Sequence, residues 1–237
     1  ADVQDNTIAE GTDASPPTPN DDVTSEFYNY DDMLGAKIIA STDVSRVIPR
    51  RNWSAGIVYD TYSHDIGEYT TGSTSVRKTS TSGATTLFDS TFYVLSSARN
   101  VYKCLDNNGG ATSTDEPTGV STSVITTTDS YKWKFMYTLS AAQQANFLST
   151  DFMAVSTNSS VSGNAIDGSI DIIKIKTPGS GGADGTHTGI AIKGDGTGGV
   201  VSVTVTSGAV TAVTVTSAGS GYTFATISNA QIIAAGA

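Results

Sequence analysis

The feature that most constrains this chain is an internal repeat. Asp167 to Gly181 can be laid over Ser207 to Gly221 at a constant offset of 40 residues. Gly168/Gly208, Gly179/Gly219, Ser180/Ser220 and Gly181/Gly221 are identical, and Ile170/Val210, Ile173/Val213 and Ile175/Val215 keep a β-branched residue. Each unit therefore reads as one alternating strand closed by a Gly-Ser-Gly turn. The turn glycines supply positive φ without a Cβ clash. Two further branched runs, Gly189 to Ile192 and Val200 to Thr206, lie between the units. A unit of this kind buries its apolar face only against a neighbour, which predicts a β-repeat.

Composition extends that reading to the whole chain. Of 237 residues only 6 are Leu, whereas 65 are Ser or Thr and 24 are Gly. Such usage argues for strands and turns and against helices. A chain of this length can bury roughly 70% of its unfolded surface, enough for a core without staples. The single cysteine, Cys104, excludes an internal disulfide framework. No apolar run reaches 18 residues, so no membrane partner is expected. A formal charge of −10 disfavours a nucleic-acid partner, which needs excess Lys and Arg. The chain begins at Ala1 with no visible signal peptide and stops just after the strand-like Ala230 to Ile233. It is expected to be a piece of a longer protein, with residues missing at both ends.

Four segments follow from patterning. Residues 1–32 hold nine acidic groups, no Lys or Arg, and Pro16, Pro17 and Pro19, which predicts a solvated arm or one that orders against a partner. Residues 33–155 are expected to form a β-rich domain. Its predicted strands are Val44–Ile48, Ile57–Tyr59, Thr91–Leu95, Val101–Leu105 and Tyr131–Tyr137, with turns at Asn52–Gly56, Ser96–Asn100 and Asp106–Gly110. Ser140 is placed to cap a single helix over 141–148, with Ala141, Ala145 and Leu148 on one face. Residues 156–165 read as a linker, and 166–237 as the repeat region, cut short. The fold class expected is mainly β: an antiparallel two-layer β domain with one short helix, then a Gly/Ser/Thr/Val-rich β-repeat region.

A search for chemistry finds no assembled set. His64 sits in Tyr62-Ser63-His64-Asp65, where neighbours cannot form a triad among themselves, and His187 lies in a Gly-rich turn. Cys104 has no Cys-x-x-Cys partner and reads as core filler. The Gly-rich stretch 179–199 lacks a phosphate-loop Lys-Ser/Thr, and its two Asp-Gly-Thr turns are too sparse to cage calcium. No enzyme activity, cofactor or metal is therefore expected. One motif stands out: Ile48-Pro49-Arg50-Arg51-Asn52-Trp53 gathers two arginines and an indole in an acidic protein. Arg50, Arg51 and Trp53, with Trp133, are the candidate site. They serve either as an internal clamp, Arg to a carboxylate of the same chain, or as a contact for a neighbouring subunit.

Four motifs occur in order: Ser45 to Trp53, Val101 to Asn108, Glu116 to Gly119 and Ser130 to Tyr137. Together, over roughly residues 16–155, they resemble the baseplate wedge subunit called gene product eight of T-even-like contractile-tailed phages, most closely the cyanophage branch. The Pro16-Pro17-Thr18-Pro19 segment and Gly219-Ser220-Gly221-Tyr222 also fit that branch. The resemblance implies a non-enzymatic, mostly β virion protein of the tail baseplate, assembled in the host cytoplasm. It implies a homodimer that bridges other baseplate wedge proteins, with no cofactor. The chain departs from the family by lacking a β-rich segment before the Pro-rich stretch. A different class remains in play, a carbohydrate-binding or depolymerising tail-spike-like β-protein, on the strength of ten tyrosines and the Gly-rich repeat. A glycosidase needs two carboxylates about 5–10 Å apart across a cleft. The adjacent pairs Asp21/Asp22 and Asp31/Asp32 lie in the arm instead.

Overall fold

The computed structural model describes residues 38, 40–63, 66–71, 74–78, 80–175, 177–234 and 236. The acidic arm expected over 1–32 and His64 lie outside the described residues. The chain divides into two units, 1–45 and 46–237. In the first, a 3-10 turn spans Ser41–Asp43, and the Asp43 carboxylate accepts the Ala40 amide at 2.9 Å.

In the second unit the strands in chain order are β1 (Val47–Pro49), β2 (Gly67–Thr71), β3 (Thr74–Lys78), β4 (Tyr93–Leu95), β5 (Asn100–Asp106), β6 (Ile125–Thr126) and β7 (Lys132–Thr138). They continue as β8 (Phe152–Ala154), β9 (Gly185–Ala191), β10 (Lys193–Gly194), β11 (Thr197–Thr206), β12 (Ala209–Ser220) and β13 (Ala225–Thr226). Helices are α1 (Ala141–Phe147), α2 (Ser159–Gly163) and α3 (Asn229–Ala234). The fold is mainly β with antiparallel sheets, and among the described residues α1 alone reaches seven residues.

The first sheet has the order β4-β5-β7-β6. Its pattern is set by β7, where aromatics alternate with Lys132, Lys134 and Met136. Tyr131, Trp133, Phe135 and Tyr137 are buried, and the intervening residues are half-buried. The aromatic face builds a core of Tyr59, Val94, Tyr102, Cys104, Tyr131, Trp133 and Phe135. Next to it lies a second core, in which Leu95, Val101 and Tyr137 meet Ile48, Met153 and Ala154 of the β1–β8 ribbon. Val94 pairs with Tyr102 in the first core and Leu95 with Val101 in the second, so the ribbon is a layer over the face opposite the aromatic one. Trp133 stacks on Tyr131 with centroids 5.5 Å apart, and Tyr59 meets its edge at 5.6 Å. Such pairs add about 0.5–1.5 kcal/mol each beyond area burial.

Three local expectations need correction. Ile57–Tyr59 forms no strand; Ile57 makes one isolated bridge to Ser113, and the Tyr59 amide and carbonyl are taken by side chains, the Tyr131 hydroxyl and the Asn107 amide. On α1, Ala141 and Ala145 are exposed, and Phe147 and Leu148 pack on the second core. The bulkier side chains decide the face, while Gln143 completes the capping box with Ser140. The segment expected as a linker, 156–165, carries α2, capped by Asn158, and its Val161 packs against the first core.

The repeat has a symmetric geometry. The second unit forms most of β12, which pairs with β11 in a sheet of order β12-β11-β9. The first unit runs antiparallel along the other edge of β12. Ile170 N–H donates to the Ala218 carbonyl at 2.9 Å, and forty residues on, Val210 N–H donates to the Pro178 carbonyl at 2.9 Å. Likewise Tyr222 N–H donates to Gly168 at 3.1 Å and Gly182 N–H to Gly208 at 3.0 Å. The two units are therefore related by a local pseudo-two-fold. Gly168 and Gly208 occupy matching left-handed conformations, φ 63° and 75°, where the backbones cross. Between its two ends, however, the first unit is not the strand expected. Ile170 and Ile173 reach the third core, with Ile190, Ile192, Val201, Val203, Val205 and Tyr222, while Asp171 and Lys174 turn to the first sheet. The spacing of three from Ile170 to Ile173 is that of Val210 and Val213 in the second unit, which pack on the same core and between which β12 is bulged.

Candidate interaction site

The candidate site begins where β1 ends. Proline fixes φ at residue 49 and the chain continues extended past β4. The Arg51 carbonyl accepts Leu95 N–H at 2.7 Å, and Trp53 N–H donates to the Leu95 carbonyl at 2.9 Å. This short bridge places Arg50, Arg51 and Trp53 against three different supports.

Arg50 leans on the turn before β8. Its Nη1 donates to the Ser149 carbonyl at 2.8 Å and its Nε to Asn52 Oδ1 at 2.9 Å, while its backbone N–H donates to the Asp151 backbone carbonyl at 2.7 Å. Arg51 turns to the loop before β4, where Nη2 donates to the Phe88 carbonyl at 2.9 Å. Its Nε is buried without a hydrogen-bond acceptor. Burial raises the neighbouring Tyr93 phenol above its ordinary value, and the Arg51 charge opposes that rise. The expected Arg–carboxylate clamp is not what holds these side chains: among the described residues, their partners are carbonyls and one amide. A carbonyl satisfies a guanidinium donor but leaves its charge uncompensated. Phe88 and Phe152, on the segments that receive the two arginines, are 65% and 46% exposed, so apolar surface borders each cation.

Trp53 turns inward. It packs on the first core, and its Nε1–H donates to Ser113 Oγ at 3.1 Å. That hydroxyl donates to Asp129 Oδ2 at 2.9 Å. Asp129 also accepts from the Thr114, Asp115 and Tyr131 amides and the Thr127 hydroxyl. Burial raises its pKa, but these hydrogen bonds outweigh it and hold the carboxyl at about 2. Trp133 is fully buried and lies in the core rather than beside the arginines, with its Nε1 unpaired.

Sequence reasoning missed the two carboxylates that fix these loops. Asp129 had a signal, a Thr-Thr-Asp-Ser turn in which Asp bonds backbone two residues on. Asp60 had none. Fully buried, it accepts from the Ser82 amide and hydroxyl, the Ser90 hydroxyl and the Thr91 amide. Burial pushes its pKa up, but these bonds win and the net shift is downward. By tying residues 82–91 to Tyr59–Asp60, it makes Phe88 a fixed acceptor for Arg51.

Elsewhere the chemistry is spare. Cys104 is buried and its thiol is pushed up to about 12 by burial. Among the described residues, no group of three or more His, Cys, Asp or Glu is placed to hold a metal ion, and no helix is long and apolar enough to cross a membrane. Compared with protein-family models, curated proteins and solved structures, the chain matches none.

Proposed function

We propose that the protein is a structural subunit of a contractile-tail baseplate wedge, linking neighbouring wedge subunits in the virion and acting without catalysis. One observation carries the reading. The motifs on which the resemblance rests are neighbours in space: β1 and the Arg50–Trp53 segment, β5 with its following turn, and β7 pack around one continuous pair of cores. The loop bearing Glu116 joins them, since Glu116 accepts from the Ser97 amide and Tyr102 donates to Gly119. Partners in this reading are other wedge proteins and a second copy of the chain, and the arginine-bearing surface beside Phe88 and Phe152 is where a neighbour is met.

The test is direct. Antibody raised against the protein should label the baseplate end of purified tails, and the protein should co-elute with wedge subunits in size-exclusion chromatography. Absence of its peptides from purified virions by mass spectrometry would overturn the proposal.

A further inference from the structure

The face of the first sheet opposite its aromatic core carries two cations side by side. Lys103 of β5 and Lys134 of β7 are directly opposite partners, which places their Cβ atoms about 4.5–5.5 Å apart. Like charges so placed destabilise a strand pair unless anions offset them. Lys134 has its anion: Nζ lies 3.2 Å from Asp171 Oδ2. Among the described residues no carboxylate reaches Lys103 within ion-pair distance. The half-buried Lys103 instead rests its ammonium over the Tyr62 ring, 4.1 Å from the centroid. A ring attracts the charge but offers no lone-pair acceptor to the ammonium N–H groups. Burial lowers the Lys103 pKa, and the Asp171 charge opposes that shift. Both lysines border a space of about 760 Å³ between the sheet and β12, walled by Leu105, Val124, Met136, Ile170 and Val215. Asp171 is the one acid on that border among the described residues.

We propose that this space is a binding site for a monoanion with an apolar body, in its simplest form a medium-chain carboxylate, whose head bonds Lys103 and whose chain lies against Leu105, Met136 and Val215. Three observations lead there. Two cations and one anion border the space, so a single negative charge completes the balance. The Lys103 ammonium has donors to spare, because its contact is a ring rather than an oxygen. The space has the size and lining of a ligand site, which spans about 300–1,000 Å³ and is mostly apolar with a few convergent polar groups. A bare inorganic ion would leave the apolar wall wet, and a dianion would overshoot the balance. Asp171 sets the strength of binding, since its carboxylate both occupies Lys134 and repels an incoming one. The site requires no wedge partner, so its test uses the protein alone.

Octanoate is the probe, with acetate as the head alone and 1-octanol as the body alone. The readout is the methionine methyl resonances of the full chain. Met136 borders the space, while Met153 is fully buried in the second core and reports on the fold. Octanoate should shift the Met136 methyl saturably, with half-saturation at or below about 1 mM, and leave Met153 in place. Acetate and octanol should each bind at least roughly ten-fold more weakly. Lys103→Gln should weaken octanoate roughly ten-fold, the loss of one charge-assisted bond, and Lys103→Arg, which keeps the charge, should retain most of the affinity. Asp171→Asn should act the other way and tighten binding, because it removes the repelling carboxylate and frees Lys134. The absence of a saturable shift at Met136 overturns the site. So does equal binding of octanol, or a change in the same direction from Lys103→Gln and Asp171→Asn. An equal shift at Met153 also overturns it, since the core as a whole would then be loosening.

Discussion

Trp53 and Ser113, sixty residues apart, share a hydrogen bond of 3.1 Å, and through it the indole reaches Asp129. The arginine motif is thereby fastened at its C-terminal end to the loop that precedes β7. Ser113→Ala removes an acceptor from Trp53 and a donor from Asp129 at once. It should destabilise the protein by about 1–3 kcal/mol, because two buried or half-buried groups lose a partner. Trp53→Phe keeps Ser113 on Asp129 and should cost less. Urea midpoints of the two variants check the order.

Arg51→Ala should lower the melting temperature, since it removes a charge-assisted bond to Phe88 O from a half-buried position, at about 1.5–3 kcal/mol. The uncompensated charge argues against a cost as large as breaking a buried ion pair. If wedge association also fails under conditions where the variant is folded, the same residue serves both fold and interface. Thermal unfolding beside size-exclusion chromatography separates the two.

Acid should destabilise the fold in a defined window. Asp129 titrates at about 2 when folded, against an ordinary value of 3.8, and Asp60 is shifted in the same direction. A depressed folded value means that the stabilisation is fully present above the unfolded pKa. It is lost as pH falls from about 4 through the folded value. Melting temperatures between pH 6 and pH 2 should therefore drop most below about pH 4, and Asp129→Asn should flatten that drop while lowering stability at neutral pH.

Two glycines should behave oppositely to their similar dihedrals. Gly168 and Gly179 both have positive φ, 63° and 70°. A Cβ on Gly168 would lie 2.2 Å from Tyr222 N and 2.6 Å from Gly221 C, whereas one on Gly179 meets nothing within 4 Å. Gly179→Ala should cost about 1–2 kcal/mol, the left-handed penalty alone. Gly168→Ala should cost clearly more, because backbone must separate where the units cross. Denaturant unfolding of both variants decides it.

Much of this was legible in the residues. The alternation in Tyr131–Tyr137 announced a half-buried strand, Ser140 announced a capped helix, and the offset of 40 announced a duplicated unit. What escaped was tertiary. The alternating Ile170–Ile175 pattern fits a strand, but Lys134 and Asp106 on another sheet draw Asp171 and Lys174 away, and no local pattern encodes that competition. At the site, proximity of Arg50 to Arg51 in sequence suggested a joint clamp. Consecutive residues of an extended chain point apart, so each arginine found its own loop, while Trp53 packs on the first core. Asp60 was one carboxylate among 23 acidic residues, and only burial singles it out.

The duplication has one further consequence, in how the molecule meets others of its kind. An outermost strand with a long row of free amides invites pairing with another chain. Here the outer edge of β12 is bordered at both ends by a copy of its own sequence, at Ile170 and at Pro178. An incoming strand from another molecule would have to displace a segment of related pattern that is already tethered at both ends. The repeat whose edge could template pairing thus also supplies the segment that covers that edge at both ends.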